Sequence, residues 1–133
     1  MRTEAREAVL KILYSETINP SDVENVKRSI FRKLTEDEFD YADRLYRTVT
    51  EHEERIVEVI DRNITNFKED RLYPVDRAIL MIAVAEILYF DDKEIPPVVS
   101  VSEATNLAKK YSGDTAADFV NGVLSGIINK KTD

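Results

Sequence analysis

The chain of 133 residues has no cysteine, no tryptophan, one histidine, three glycines and four prolines. Without cysteine there is no disulfide, no thiolate nucleophile and no sulfur-ligated metal, a usage that agrees with a reducing compartment. His52 cannot anchor a metal alone. Its polar neighbours Glu51, Glu53, Glu54 and Arg55 fit an exposed residue in a helix's first turn better than a general base. All glycines fall after residue 112, so neither a phosphate-cradling P-loop nor a dinucleotide loop can be built. The acidic pairs Asp91-Asp92 and Glu53-Glu54 are sequence neighbours whose side chains do not converge on one helix face, and no Asp/Glu/His set has ligand spacing. No catalytic residue, metal or cofactor is therefore expected. The opening MRTEAREAVLKIL lacks the continuous apolar core of a signal peptide. The longest apolar stretch, residues 78–90, falls short of the about 20 residues a bilayer span needs. The expectation is a cytoplasmic protein without membrane contact.

What the chain does have is charge, 19 basic and 26 acidic residues for a net −7. The charges are spread along the chain, as on the solvated faces of amphipathic helices. Long-range repulsion opposes nucleic acid, so phosphate binding needs a local basic patch, whereas a basic protein is readily recruited.

The core is organised around Pro74 to Asp91. From Ala78 to Phe90 every residue is apolar except Glu86, and the alanine, leucine, isoleucine and methionine content favours a helix that its neighbours must cover. Pro74 suits the first turn and Asp76 the positive end of the dipole. Before it, apolar spacing predicts helices over about 3–16, then from Ser21 to about Lys33, 36–49 and from about Thr50 to Ile64, with a polar loop at Asn66–Arg71. The third is expected to bury Phe39, Ala42, Leu45, Tyr46 and Val49. Capping boxes are expected at Ser21–Glu24, Thr35–Glu38, Thr50–Glu53 and Ser100–Glu103. The last opens a sixth helix that ends at Tyr111 before Gly113, a left-handed cap. Thr115 caps a seventh, which turns Phe119, Val120, Val123, Leu124, Ile127 and Ile128 inward. With no period-two alternation or repeat, the fold is all-α, a single domain of about seven helices around a buried central one.

Glu86 suits a partner for a backbone or arginine group, and Gly122 with Gly126 suits close helix packing. Two basic sets stand out. Lys27, Arg28, Arg32 and Lys33 share the second helix, whereas Arg2, Arg6, Lys109, Lys110 and Tyr111 combine only if the first and sixth helices meet. Phe119 is either core or a stacking face for an unpaired base.

AREAVLKILY, VDRAIL followed by AVAEIL, IPPVVSVSEATNLAKKY and FVNGVL, in this order, resemble the NusB family of bacterial transcription antitermination factors over nearly the whole chain. That resemblance implies a non-catalytic, all-helical adaptor of two helical subdomains, about 1–66 and 72–130. Such an adaptor pairs with the basic ribosomal protein NusE and holds boxA-type single-stranded RNA of nascent ribosomal transcripts within an RNA polymerase antitermination complex. It maps an RNA surface to Arg2, Arg6, Lys109, Lys110, Tyr111 and Phe119, and a NusE surface to Tyr14 and Asp76. Thr3 and Glu4 interrupt the family's arginine run, Asp118 stands where a basic residue often precedes FVNG, and Met81 replaces a common arginine. Each departure removes positive charge. Weak RNA binding alone, tighter with the partner, is the expectation. The alternatives are a protein-only scaffold or homodimer that hides the RNA face, and a recognition module like that of some ribosomal RNA cytosine methyltransferases, here without a cofactor loop.

Overall fold

A helix that is apolar on every side is stable only when other elements surround it, and the segment Pro74–Tyr89 is placed accordingly. The structure, a computed structural model, describes residues 2–64 and 72–132. In chain order the described helices are α1 (Arg2–Ile18), a 3-10 turn (Pro20–Asp22), α2 (Val23–Phe31), α3 (Glu36–Glu51), α4 (Glu53–Arg62), α5 (Pro74–Tyr89), α6 (Pro97–Tyr111) and α7 (Asp114–Thr132). All of α5 from Ala78 to Ile87 is buried. Around it stand α1, α3, α4, α6 and α7, with α2 laid on α1 and α6 paired with α7. The loop expected at Asn66–Arg71 lies outside the described residues.

The Thr35–Glu38 box forms as expected. Glu38 N–H donates to Thr35 Oγ1 at 3.2 Å and Thr35 N–H donates to Glu38 Oε1 at 2.9 Å. The other three boxes do not form, because Ser21, Thr50 and Ser100 each stand inside a helical segment and not at its N-cap. Pro20 starts a 3-10 turn ahead of α2, and Ser21 donates to Asn19 Oδ1 at 2.9 Å. Thr50 donates back to the Arg47 carbonyl at 3.1 Å within α3, which continues to Glu51. Pro97, whose missing N–H is harmless in a first turn, opens α6 before Ser100, and both Ser100 and Glu103 join a buried network described below. Gly113 has φ +105°, the left-handed geometry expected, and α7 follows at Asp114 rather than behind a Thr115 cap.

Side-chain placement departs from expectation at a few positions. Phe39 is 38% exposed, its ring met edge-on by Phe31 of α2 at 5.3 Å, while Tyr41 takes the buried place on α3. His52 is the junction of α3 and α4, half-buried and stacked 3.9 Å from the Tyr89 ring. On α7, Ala117, Val120, Val123, Leu124 and Ile127 are buried, and Phe119 and Ile128 are partly so. A β-carbon at Gly122 would meet nothing within 4 Å, so no close packing explains that glycine; at Gly126 it would meet Asn63 Oδ1 of the α4 end at 3.4 Å.

The helices are pinned to α5 by polar bonds at Glu86, which is 1% exposed. Arg6 of α1, 4% exposed, donates from Nε to Glu86 Oε2 and from Nη1 to Glu103 of α6, both at 2.8 Å. Ser100 of α6 donates to Glu86 Oε1 at 2.8 Å, and the Tyr41 hydroxyl of α3 donates to Glu86 Oε2. Among the described residues, Arg6 Nη2 is the buried side-chain polar atom left without a partner. Burial opposes the Arg6 charge, yet Glu86 more than offsets it and holds the guanidinium above its ordinary pKa. Burial, then the Glu86 charge, pushes the Tyr41 phenol up strongly. Burial and the Glu16 hydrogen bond do the same for Tyr46.

Removing one partner of a buried ion pair costs about 3–5 kcal/mol because the other charge is stranded. Arg6→Met, which leaves Glu86 with hydroxyls only, should fall in that range by urea unfolding. Glu86→Gln should cost less, since Glu103 still neutralises Arg6. A second expectation concerns alkali. A phenol whose folded pKa is raised adds stability that is complete below its unfolded pKa of about 10 and is lost as pH rises past it. Stability should therefore drop above about pH 10, and phenolate absorbance should show Tyr41 and Tyr46 ionising only as the chain unfolds. A Tyr41→Phe protein should lose part of that pH dependence.

Candidate functional site

The first and sixth helices do meet, through side chains. Lys110 Nζ donates to Glu7 Oε2 at 2.8 Å, and Thr3 joins Arg6 on Glu103. This seam places Lys109, Lys110 and Tyr111, all exposed, beside the N-terminal half of α1. Lys109 and Lys110 also occupy the last turn of α6, where the negative end of the dipole favours cations.

The six residues expected to meet RNA are not one patch. Arg2 turns toward α3, its guanidinium 4.8 Å from the Tyr41 ring and its Nη2 3.4 Å from Glu94, in an open cleft with Asp37, Glu38, Asp40 and Arg44. Arg6 is withdrawn from the surface altogether, because the carboxylates of Glu86 and Glu103 hold it inside. Phe119 lies elsewhere, in a cavity between the start of α5 and the α6–α7 turn.

Each cation of this set faces a carboxylate of the chain itself. Besides Arg2 and Arg6, Lys109 lies 3.8 Å from Asp114 and Lys110 2.8 Å from Glu7. Burial tends to raise the Glu7 carboxyl, but the Lys110 bond prevails and holds it below the usual range; in return Lys110 is raised. Exposed pairs of this kind are weak because water screens them, so Arg2, Lys109 and Lys110 can exchange them for phosphate. Arg6 cannot do so without unbuttoning the core.

The residues expected to meet a protein partner also differ from one another. Tyr14 is exposed, and its spacing of two helical turns from Glu7, about 10 Å along the axis, continues the α1 face that meets α6. Asp76, by contrast, is only 5% exposed, and accepts a 2.8 Å hydrogen bond from Ser112. It is not a surface carboxylate, because the α6–α7 turn closes over the first turn of α5. Asp76 and Phe119 line the same cavity of about 200 Å³, with Leu72, Tyr73, Thr115, Ala116 and Ser112.

Sequence reasoning missed Ile18, Tyr73 and Glu7. Ile18 and Tyr73 are among the most exposed large apolar side chains, Tyr73 at 73%. A signal for Tyr73 exists: the residue before a proline that opens a helix is held extended, here at φ −64°, ψ 144°, outside the helical stack. The basic set of the second helix is separate from this seam, with Lys27 over the Tyr46 ring at 4.6 Å and Arg28 and Arg32 on a groove floored by Phe31 and Phe39. Among the described residues no cluster of His, Asp or Glu has metal-holding geometry, and no helix is long and apolar enough to cross a membrane.

Comparison with known proteins gives consistent matches. The sequence profile of the NusB family matches residues 3–129. The transcription antitermination protein NusB of Natranaerobius thermophilus is 38% identical, covering 97% of this chain and 95% of its own length. That of Macrococcus caseolyticus is 37% identical, covering 98% of each. Among solved structures, T. maritima NusB superposes with TM-score 0.87 at 30% identity, over 97% of this chain and 91% of that one. A chain from a crystal of the antitermination factors NusB and NusE in complex with dsRNA superposes with TM-score 0.85 at 29% identity, over 97% of this chain and 96% of that one. Matched along nearly its whole length by profile, by relatives and by fold, the chain belongs to the NusB family.

Proposed function

We propose that the protein is a transcription antitermination factor, a non-catalytic cytoplasmic adaptor that holds boxA-type single-stranded RNA together with a NusE-type ribosomal protein and delivers both to the RNA polymerase antitermination complex. The observation that carries this reading is the end-to-end likeness to NusB proteins, one of them solved with NusE and RNA. The seam of α1 and α6 supplies Lys109, Lys110 and Tyr111, with Arg2 on the α3 side and Phe119 beyond the α6–α7 turn. Arg2, Lys109 and Lys110 are exposed cations held in weak pairs, and Tyr111 and Phe119 offer rings for unstacked bases. Tyr14 with Ile18 on α1 and Tyr73 at the head of α5 offer the apolar contacts a protein partner needs. The net charge of −7 draws a basic partner and repels RNA, which assigns the partner much of the phosphate neutralisation.

Calorimetry should detect a one-to-one complex with the NusE-type protein at low salt, and RNA should bind the pair much more tightly than it binds the chain. With three exposed cations to neutralise phosphates, at about 0.7 per contact on a single strand, log K for the chain alone should fall against log salt with a slope near −2. A flat salt response, or equal RNA affinity with and without the partner, overturns the adaptor reading. A further variant isolates the self-pairing. Glu7→Gln releases Lys110 from its carboxylate and should strengthen RNA binding several-fold, whereas Lys109→Ala/Lys110→Ala should weaken it and flatten the slope by about 1.

A further inference from the structure

Uncompensated positive charge in this acidic chain gathers on α2 and the residues that end it. Arg2, Lys109 and Lys110 each face a carboxylate, whereas none of Lys27, Arg28, Arg32 and Lys33 has an ion-pair partner among the described residues. At about 3.6 residues per turn, Lys27, Phe31, Arg28 and Arg32 share one helix face with Glu24, and Lys33 falls on another. The shared face borders an open groove of about 430 Å³ lined by Glu24, Lys27, Arg28, Phe31, Arg32 and Phe39. Two rings in edge-to-face contact at 5.3 Å form its floor, with Phe39 38% exposed. The Lys27 ammonium is held at the groove over the Tyr46 ring at 4.6 Å and the Phe31 ring at 5.9 Å. No residue of α2 is buried, so this face lies open to a ligand.

We propose that the groove is a second site for single-stranded RNA, separate from the seam of α1 and α6, which takes one unpaired guanine nucleotide with phosphates on Arg28 and Arg32, the base against Phe39 and its N–H edge on Glu24. Three kinds of group select that occupant together. Unpaired guanidinium groups attract phosphate and carboxylate alike, and an exposed aromatic ring stacks an unpaired base. Glu24 separates the two anions. Set among the cations, its carboxylate repels an acidic side chain, but it accepts hydrogen bonds, and the neighbouring N1–H and N2–H donors of guanine match its two oxygens. The volume falls within the about 300–1,000 Å³ of sites that enclose ligands of nucleotide size. The acidic first turn of α3, Glu36, Asp37 and Glu38, bounds the patch and limits it to a short stretch of strand. The inference goes beyond the adaptor reading and uses none of the seam residues, so either can fail without the other.

Fluorescence anisotropy tests it, with a labelled guanine-containing RNA hexamer that lacks a boxA sequence and the full chain carrying Lys109→Ala/Lys110→Ala to weaken the seam. In that background Arg28→Ala/Arg32→Ala should lower affinity at least 10-fold and flatten the dependence of log K on log salt by about 1.4, two contacts at about 0.7 each. Phe39→Leu, which keeps apolar cover over Phe31, should weaken binding several-fold, and Glu24→Gln should erase a preference for the guanine hexamer over one with adenine in its place. All four positions are on the surface, so melting curves should match the background protein. The site is overturned if that protein binds no hexamer, or if Arg28→Ala/Arg32→Ala binds it equally well. No guanine preference, or one that survives Glu24→Gln, overturns the base contact. Guanosine monophosphate binding as tightly as the hexamer assigns the groove to free nucleotides, and oligoglutamate displacing the hexamer at equal concentration assigns it to acidic protein segments; either result overturns the RNA assignment and leaves the adaptor reading standing.

Discussion

The contact between Arg6 and Glu86 is the constraint on which the rest of the molecule hangs. A charged residue within a helix as apolar as α5 is costly unless matched, and Arg6 reaches it from α1, across a sequence separation that no local interaction bridges. Once that pair forms, the remaining acceptor capacity of Glu86 draws in Tyr41 and Ser100, and the second arm of Arg6 draws in Glu103. Those bonds bring α3 and α6 to the same level of the central helix. The apolar surface of α5 supplies most of the driving force for packing, but apolar contact is indifferent to rotation and register. The polar bonds supply direction.

The same geometry explains why the exposed cations are so well disciplined. By bringing the N-terminal half of α1 against the C-terminal half of α6, the buried pair leaves Glu7 under Lys110, and further along leaves Glu94 between Arg44 and Arg2. A surface of this kind is nearly neutral at close range within a strongly acidic whole. A phosphate that approaches Arg2, Lys109 or Lys110 meets a carboxylate already in place. Selectivity of this sort is a difference between competing pairs rather than an abundance of positive charge.

Helix existence and the identity of the central helix were legible because composition and periodicity are local properties. The Thr35–Glu38 box was legible for the same reason, with both halves of the bond within one turn. Ser100 and Glu103 show where that logic ends: the pattern is right for a cap, but Glu86 and Arg6 are stronger partners, and they come from other helices. Arg6 resembled Arg2 in the sequence, yet one is enclosed and the other is not, because only Arg6 faces α5. Asp76 read as a surface acid for want of any sign that the α6–α7 turn would fold over it. In each case the missing information was a partner far away in the chain.

That turn has a mechanical consequence. Ser112 and Gly113 alone separate α6 from α7, and Gly113 holds the one positive φ among the described residues. So short a connection transmits rotation between its two helices instead of absorbing it. Among the described residues, its polar anchor below is the Ser112 hydroxyl on Asp76. Any change at that anchor therefore acts on the last turn of α6, which carries Lys109 and Lys110, and on the start of α7, which carries Phe119.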